Sequence, residues 1–259
     1  MRVERTVAMV RAALAERRDG VVGLVPTMGA LHAGHLSLLR AARAECDTLA
    51  MSLFVNPAQF GDSTDLNGYP RDEAHDLTLA ETEGVDIVFA PGVDEIYPPG
   101  FQTWVDVTEL GSILEGRSRP GHFRAVATVC LKLFTIVQPD RVYFGQKDAQ
   151  QVEVIRTLIR DLALEIDVRA VPTVRDPDGL ALSSRNTRLS AEERSRALAL
   201  PRALAARDPG KARAFLAEHD LDVDYVEVAP FDPPVLAAAV RVGSTRLIDN
   251  VPLQGEDDR

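Results

Sequence analysis

Val21–Arg43 reads VVGLVPTMGALHAGHLSLLRAAR. Val21, Val22, Leu24 and Val25 form an apolar, β-branched run of the kind that makes a short buried strand, and Pro26 is expected to stop it. Gly29 permits a tight turn. From about Ala33 onward Leu36, Leu38, Leu39 and Ala42 recur at helical spacing and face inward. A helix start presents unpaired backbone N–H groups and the positive end of the helix dipole, so it receives anions. His32 and His35, three residues apart, lie on one side of that first turn. Gly34 between them has no side chain and lets a ligand approach the backbone. Strand, glycine turn, two imidazoles and helix start therefore read together as a phosphate seat. A bare H-x-G-H also occurs as an ordinary surface turn. Its place after an apolar strand favours a site, and so does the fact that two of the chain's five histidines are in it.

The rest of the composition narrows the classes. A chain of 259 residues with 46% hydrophobic side chains suits one large or two modest domains and can bury a core. A net charge of −10 argues against a general nucleic-acid surface, so an anionic substrate must meet local positive charge. Cys46 and Cys130 are far apart and form no CxxC, which indicates neither a zinc site nor a disulfide framework and suits a reducing compartment. The N-terminal MRVERTVAMVRAALAERR lacks the apolar core of a signal peptide, and no apolar run is long enough to cross a bilayer. A soluble cytoplasmic protein with no membrane partner is expected. GxxxxGK[ST], GxGxxG and GxSxG are all absent, so the P-loop, dinucleotide-binding and α/β-hydrolase readings fail.

Along the chain, residues 6–18 read as a helix, Thr48–Val55 as a second buried strand, and Asp72–Glu83 as a helix after a polar loop from Asp62. Val85–Ala90 reads as a third strand, Phe101–Val107 as an exposed or edge strand, and Gly111–Gly121 as a mobile stretch able to cover a site. His122–Val137 is an apolar helix and Arg141–Phe144 a fourth sheet strand. Leu164–Val171 is a fifth strand, leading through a turn at Asp176–Gly179 into a loop that ends at Asn186. Ser190–Ala206 reads as one helix with a capping box from Ser190 to Glu193. Residues 211–219 follow as a helix, then strands at 223–229, 236–242 and 245–250. This pattern gives an α/β protein: a Rossmann-like parallel sheet over residues 1–174, and a smaller α+β domain over 175–259.

Polar residues just past the carboxyl ends of parallel strands sit where open α/β sheets bind ligands. Asn56-Pro57 after the second strand is also plain turn chemistry, whereas Gln59 has no such local reason and reads as a ligand group. Gly145-Gln146-Lys147-Asp148, after the fourth strand, is the second phosphate candidate. Lysine occurs only at 132, 147 and 211, so Lys147 is not generic surface charge, and its ammonium is a compact point charge suited to phosphate. Asp148 can cap the following helix or bind a ribose or a metal. Gln151 lies one turn on, on the side of Lys147. His122 reads as a helix-end residue, with ligand contact as the less favoured alternative. Ser183-Ser184-Arg185-Asn186 offers two hydroxyls and a guanidinium, a combination that alone is a common solvated loop. Two helix starts bearing His and Lys, with a late Arg loop, describe a site for a nucleoside triphosphate attacked at its α-phosphate. No side-chain nucleophile stands out, so the substrate itself attacks.

PTMGALHAGH resembles the signature of pantothenate synthetases, within the wider group of HxGH nucleotidylyltransferases and class I aminoacyl-tRNA synthetases. FVNPAQF (54–60), YPRD (69–72), RPGHF (119–123), FGQKDAQQ (144–151), VPTVRDPDGLALSSRN (171–186) and TRLIDN (245–250) continue the likeness in the expected order. Arg124-Ala125 departs from it, standing where the family has a small residue and Gly, and the C-terminal domain is shorter than usual. The resemblance implies ATP-dependent joining of pantoate to β-alanine through pantoyl adenylate, with AMP and pyrophosphate released. It implies catalytic roles for His32, His35, Lys147 and Arg185. Met28, Gly34, Gly145, Asp148, Val174, Leu182, Ser183 and Ser184 would join these four around ATP, with Ser183–Arg185 as a KMSKS-like clamp on the triphosphate. Met28, Asn56, Gln59 and Gln151 would hold pantoate and β-alanine. Mg²⁺ would bridge the phosphates, with Asp76 near it as a metal ligand, and the protein would be a homodimer. A nucleotidylyltransferase shares HxGH but leaves FVNPAQF and Gln151 unexplained. A non-catalytic nucleotide-binding module would not need His32, His35, Lys147 and Arg185 together.

Overall fold

The computed structural model describes residues 1–17, 19–61 and 66–253. The chain divides into two compact units, Met1–Gly145 with Val154–Val171, and Gln146–Glu153 with the residues from Pro172 onward.

The first unit is built on six parallel strands: β1 (Arg2–Glu4), β2 (Val22–Thr27), β3 (Thr48–Leu53), β4 (Ile87–Phe89), β5 (Arg141–Gly145) and β6 (Asp167–Val171). Their order across the sheet is β1-β4-β3-β2-β5-β6. The chain runs outward from β2 through β3 to β4, then returns to place β5 on the other side of β2. That reversal between β2 and β5 is where open parallel sheets bind ligands, just beyond the strand carboxyl ends. Helices α1 (Val7–Ala15), α2 (Ala33–Glu45), α3 (Glu73–Thr82) and α6 (His122–Val137) belong to this unit, and α7 (Ala149–Asp161) starts after β5; two short helices, α4 (Val93–Ile96) and α5 (Leu114–Ser118), lie between. Leu39, Leu49, Met51, Val25 and Val88 pack in one core cluster around the central strands. Each such side chain removed from water stabilises the fold by roughly 1.5–3 kcal/mol.

Several local expectations shift. Strand β2 does not stop at Pro26 but runs to Thr27, with Pro26 opposite Ser52. Thr27 and β3 exchange bonds on one edge, so Pro26 faces the β5 edge, where pairing has already ended at Leu24 and Val142. The missing N–H therefore costs no ladder bond. Phe101–Val107 is not a strand. Val105 N–H instead donates to Thr128 Oγ1 at 3.0 Å, and Phe101 and Trp104 pack on Tyr97, which accounts for the alternating pattern. Arg124, at the family departure, lies over the Trp104 ring at 5.3 Å. Residues 111–121, expected to be mobile, are built of short helical turns; a Cβ on Gly116 would collide with the Gly111 carbonyl. Strand β6 begins only at Asp167, because Leu164 still closes the end of α7 through Ile159 O.

The second unit carries α8 (Ala191–Ala197), α9 (Ala199–Leu204) and α10 (Pro209–Glu218), and an antiparallel sheet of β7 (Asp222–Ala229), β8 (Val235–Val242) and β9 (Thr245–Pro252) in that order. The single helix expected over 190–206 is two, which meet at Leu198 just ahead of Pro201, a residue with no N–H to give a continuous helix. The capping box is present, with Ser190 Oγ taking Glu193 N–H and the Glu193 carboxylate taking Ser190 N–H. Leu200, Leu204, Leu216, Leu236 and Val240 form this unit's own core. The boundary differs from the one read in the sequence: Gln146–Glu153 also belong to the second unit. Among the described residues no helix is long and apolar enough to cross a membrane.

Candidate active site

The residues singled out in the sequence fall into two groups, one in each unit. In the first unit, β2 ends at Thr27 and the chain turns through Met28, Gly29, Ala30 and Leu31 into α2. Gly29 has φ +81°, and a Cβ there would sit 2.7 Å from Asp76 Oδ2 and 2.9 Å from Leu53 Cδ1, so only glycine fits. Asp76, in the first turn of α3, is 2% exposed. Its two carboxylate oxygens accept the Ala30 N–H at 2.9 Å and the Leu31 N–H at 2.7 Å. Asp76, expected from the resemblance as a metal ligand, has a structural role here: the carboxylate anchors the turn that delivers the histidines, satisfying two buried donors. His75 beside it takes part in capping through its backbone, on Asp72 Oδ1. Among the described residues no group of three or more His, Cys, Asp or Glu could hold a metal.

The histidines do more than flank the helix start. His32 is the N-cap residue of α2, and its Nδ1 accepts the Gly34 N–H at 3.1 Å. His35 Nδ1 in turn accepts the His32 N–H at 3.3 Å. This is a capping box made of two imidazoles, their ring centroids 4.2 Å apart. Backbone donors that the sequence reading offered to an anion are thus partly taken by the histidines themselves. The consequence is chemical. A neutral imidazole that accepts at Nδ1 carries its hydrogen on Nε2. Both rings are therefore fixed as Nε2–H donors, oriented by bonds made within one helical turn.

Met28, Asn56 and Gln59 come together. Pro57–Gln59 is a single 3₁₀ turn capped by Asn56, whose Oδ1 accepts the Ala58 N–H at 3.3 Å. That backbone donor settles which end of the Asn56 amide is oxygen, so Nδ2 is the atom facing Gln59 Oε1 at 3.1 Å. Gln59 must then present Nε2, which lies 3.0 Å from Met28 Sδ. Gln59 is half-buried and offers donors, matching a hydroxyl or carboxylate oxygen. Asn56 is 1% exposed and is also held by the Tyr97 hydroxyl at 2.9 Å. Its amide is engaged by Gln59, the Ala58 N–H and the Tyr97 hydroxyl, which fixes its orientation beside Gln59. Burial pushes the Tyr97 phenol up to about 12, the Asn56 hydrogen bond opposing and the nearby Cys130 thiol adding, and Tyr97 therefore remains a donor to Asn56. The main-chain oxygen of Gln59 faces His122 Nδ1 at 3.1 Å and Arg119 Nη2 at 3.3 Å.

In the second unit, Gln146–Asp148 form one 3₁₀ turn directly after Gly145, the end of β5, where a Cβ would meet open space. Lys147 Nζ lies 3.6 Å from Asp148 Oδ1, the lysine side chain mostly buried and the aspartate half exposed. Asn250 of β9, 5% exposed, donates through Nδ2 to Gln146 O at 3.0 Å and Lys147 O at 2.8 Å. Gln151 lies half-buried in the first turn of α7. Strand β9 also touches the Ser184–Arg188 turn. That turn is capped by Ser183, whose Oγ accepts the Arg185 N–H at 3.2 Å. Val174 and Leu182 pair through their backbone at 3.0 Å, forming the base of the preceding hairpin. Arg175 grips the buried Asp249 with two bonds, 2.6 and 3.0 Å. Asp249, Asn250, Tyr97 and Arg119 were missed as single residues, although RPGHF and TRLIDN contain three of them.

Fold and site define an α/β protein with an imidazole-capped His-x-Gly-His helix start beyond a central strand and a lysine turn after β5. The family model for pantoate-beta-alanine ligase matches residues 2–252. A pantothenate synthetase from Acidobacterium capsulatum is 50% identical, the match covering 99% of this chain and 98% of that one. One from Roseiflexus sp. is 51% identical over 98% of this chain and 100% of the relative. The crystal structure of pantothenate synthetase from Thermus thermophilus superposes with a TM-score of 0.91 at 45% identity, covering 98% of this chain and 100% of that one. That of pantoate-beta-alanine ligase from Francisella tularensis, complexed with beta-gamma ATP and beta-alanine, gives 0.88 at 33% identity, covering 98% of each. The chain belongs to the pantoate-beta-alanine ligase family and is an enzyme of that family.

Proposed function

We propose that the protein joins (R)-pantoate to β-alanine at the expense of ATP, through pantoyl adenylate. A pantoate carboxylate oxygen attacks the α-phosphorus and pyrophosphate leaves. The β-alanine amine then attacks the acyl carbon and AMP leaves, so one C–N bond forms and AMP and pyrophosphate are released with pantothenate. The observation that carries this reading is the imidazole capping box: two Nε2–H donors fixed in advance at a helix start suit charge that builds on phosphate oxygens.

His32 and His35 serve the α-phosphate and its bridging oxygen. Lys147, Ser184 and Arg185 draw charge toward the departing pyrophosphate, the turn of Lys147 braced by Asn250. Met28, Gly34, Gly145, Asp148, Val174, Leu182 and Ser183 surround the nucleotide. Gln59 and Gln151 hold pantoate, Gln59 by its Nε2 donor. The protein's contribution is positioning and charge stabilisation, since the nucleophile belongs to the substrate. Asp148, half exposed beside Lys147, would be the carboxylate to hold a Mg²⁺ brought in with the triphosphate. Such an ion would supply charge neutralisation on the phosphates. The reading includes a cytoplasmic homodimer. Its test is ATP-dependent AMP formation by the purified protein. AMP should appear in step with pantothenate only when both acids are present; ADP as the nucleotide product, or turnover indifferent to pantoate, would overturn it.

A further inference from the structure

We propose that Arg119 and His122 are positioning residues that fix the Gln59 carboxamide by clamping that residue's main-chain carbonyl. The proposal rests on the reading that Gln59 holds the hydroxy acid. Arg119-Pro120-Gly121-His122 is a tight turn: His122 N–H bonds to Arg119 O at 3.0 Å, and Gly121 has φ +80°. Proline at the second position and a left-handed glycine at the third define a type II turn, whose two end residues lie close together. Arg119 Nη1 consequently lies 3.1 Å from His122 Nε2. A guanidinium only donates, so Nε2 is the acceptor and His122 is neutral with its hydrogen on Nδ1. Nδ1–H then donates to Gln59 O at 3.1 Å, and Arg119 Nη2 donates to the same oxygen at 3.3 Å. The two lone pairs of one carbonyl are filled by a turn 60 positions away in sequence.

Gln59 is therefore held at both ends. The clamp fixes its backbone, and Asn56 Nδ2 fixes Oε1 at 3.1 Å. What remains to the side chain is one presented group, the Nε2 donor near Met28. Neither Arg119 nor His122 needs to touch substrate for this. Loosening the carbonyl lets the short Pro57–Gln59 turn drift, and a donor misplaced by an ångström loses most of its value.

The test is a double-mutant cycle with steady-state kinetics. His122→Ala and Arg119→Ala should each raise the KM for pantoate roughly tenfold, the size of one lost hydrogen bond, and leave the KM for ATP within about twofold. His122→Asn, whose amide N–H can stand where Nδ1–H stands, should recover part of the loss. In a Gln59→Ala background, adding His122→Ala should change the pantoate KM by less than about twofold, because the residue it positions is gone. Multiplicative effects in that background, or an equal rise in the KM for ATP, would overturn the clamp while leaving the substrate reading intact. If Gln59→Ala itself left the pantoate KM unmoved, the reading of Gln59 and the clamp would both fall.

Discussion

The helix start at His32–His35 and the turn at Ser183–Arg188 bring candidate groups into place by opposite means. In the first, the imidazoles are fixed by their own backbone: Gly34 N–H and His32 N–H, both inside one turn, set ring position and tautomer. In the second, the local cap is one bond, Ser183 Oγ to Arg185 N–H, and the frame comes from afar. Strand β9 lies against the turn, and Arg175, in the hairpin ahead of it, grips Asp249 of that strand across 74 positions. Rings framed within their own turn can be read in a sequence and should tolerate distant mutations, Asp76 excepted, whose carboxylate holds the turn ahead of them. A remotely framed site should be sensitive to residues that never meet the ligand.

The largest effect expected from that contrast is on Arg175. Arg175→Ala leaves the Asp249 carboxylate, 2% exposed, without its two-bond partner. Stranding a buried charge costs about 3–5 kcal/mol, which should appear as a large fall in thermal stability confined to the second unit's core. A loss below about 1 kcal/mol by denaturant titration, the size of an exposed pair, would show that the second unit is as locally framed as the first. Next is His35→Ala. The fold should persist, since this half-buried side chain carries little packing, but adenylate formation should drop by about two decades or more, as loss of an oriented donor does. Near-normal single-turnover rates in the folded variant would remove His35 from the chemistry. Lys147→Ala should weaken ATP binding and slow the first step by a smaller factor. Lys147→Arg should restore only part, because a planar fork does not replace a point charge; complete restoration would mean that net charge suffices there.

The smallest effect sharpens the contrast through pH. Burial alone would raise the Asp86 carboxyl, but the Leu49 N–H, Arg43 and Arg17 outweigh it and hold it below the ordinary carboxylate value. Its stabilising contribution is therefore fully present above about pH 4 and is lost as pH falls through the lower folded value. Asp86→Asn should flatten the acid limb of the first unit's stability curve slightly, and an unchanged limb would contradict the assignment.

How much the sequence disclosed follows the same division. The parallel sheet, the helix start at His32–His35, the 3₁₀ turn at Gln59 and the turn at Lys147 were legible because strand, cap and turn signals act over a few residues. Pro26 misled, since strand context and not the residue decided whether its missing N–H mattered. Phe101–Val107 misled because aromatic packing on Tyr97 imitates strand alternation. Asp76 could be seen as an acidic residue near the site, but its real partners, the Ala30 and Leu31 N–H groups, lie 46 and 45 positions away. Asn250 was out of reach for the same reason: nothing near it in the chain tells of Lys147 O, 103 positions distant.

The central claim is that the pre-oriented imidazoles serve attack of a substrate carboxylate on the α-phosphorus. The most direct test is isotopic. Pantoate bearing heavy oxygen in its carboxylate is turned over with ATP and β-alanine, and the nucleotide product is weighed by mass spectrometry. If a carboxylate oxygen attacks phosphorus and the later amine breaks the acyl–oxygen bond, that oxygen leaves with the nucleotide, and AMP carries one label per turnover. Unlabelled AMP, or ADP in its place, would contradict the account even if pantothenate were formed.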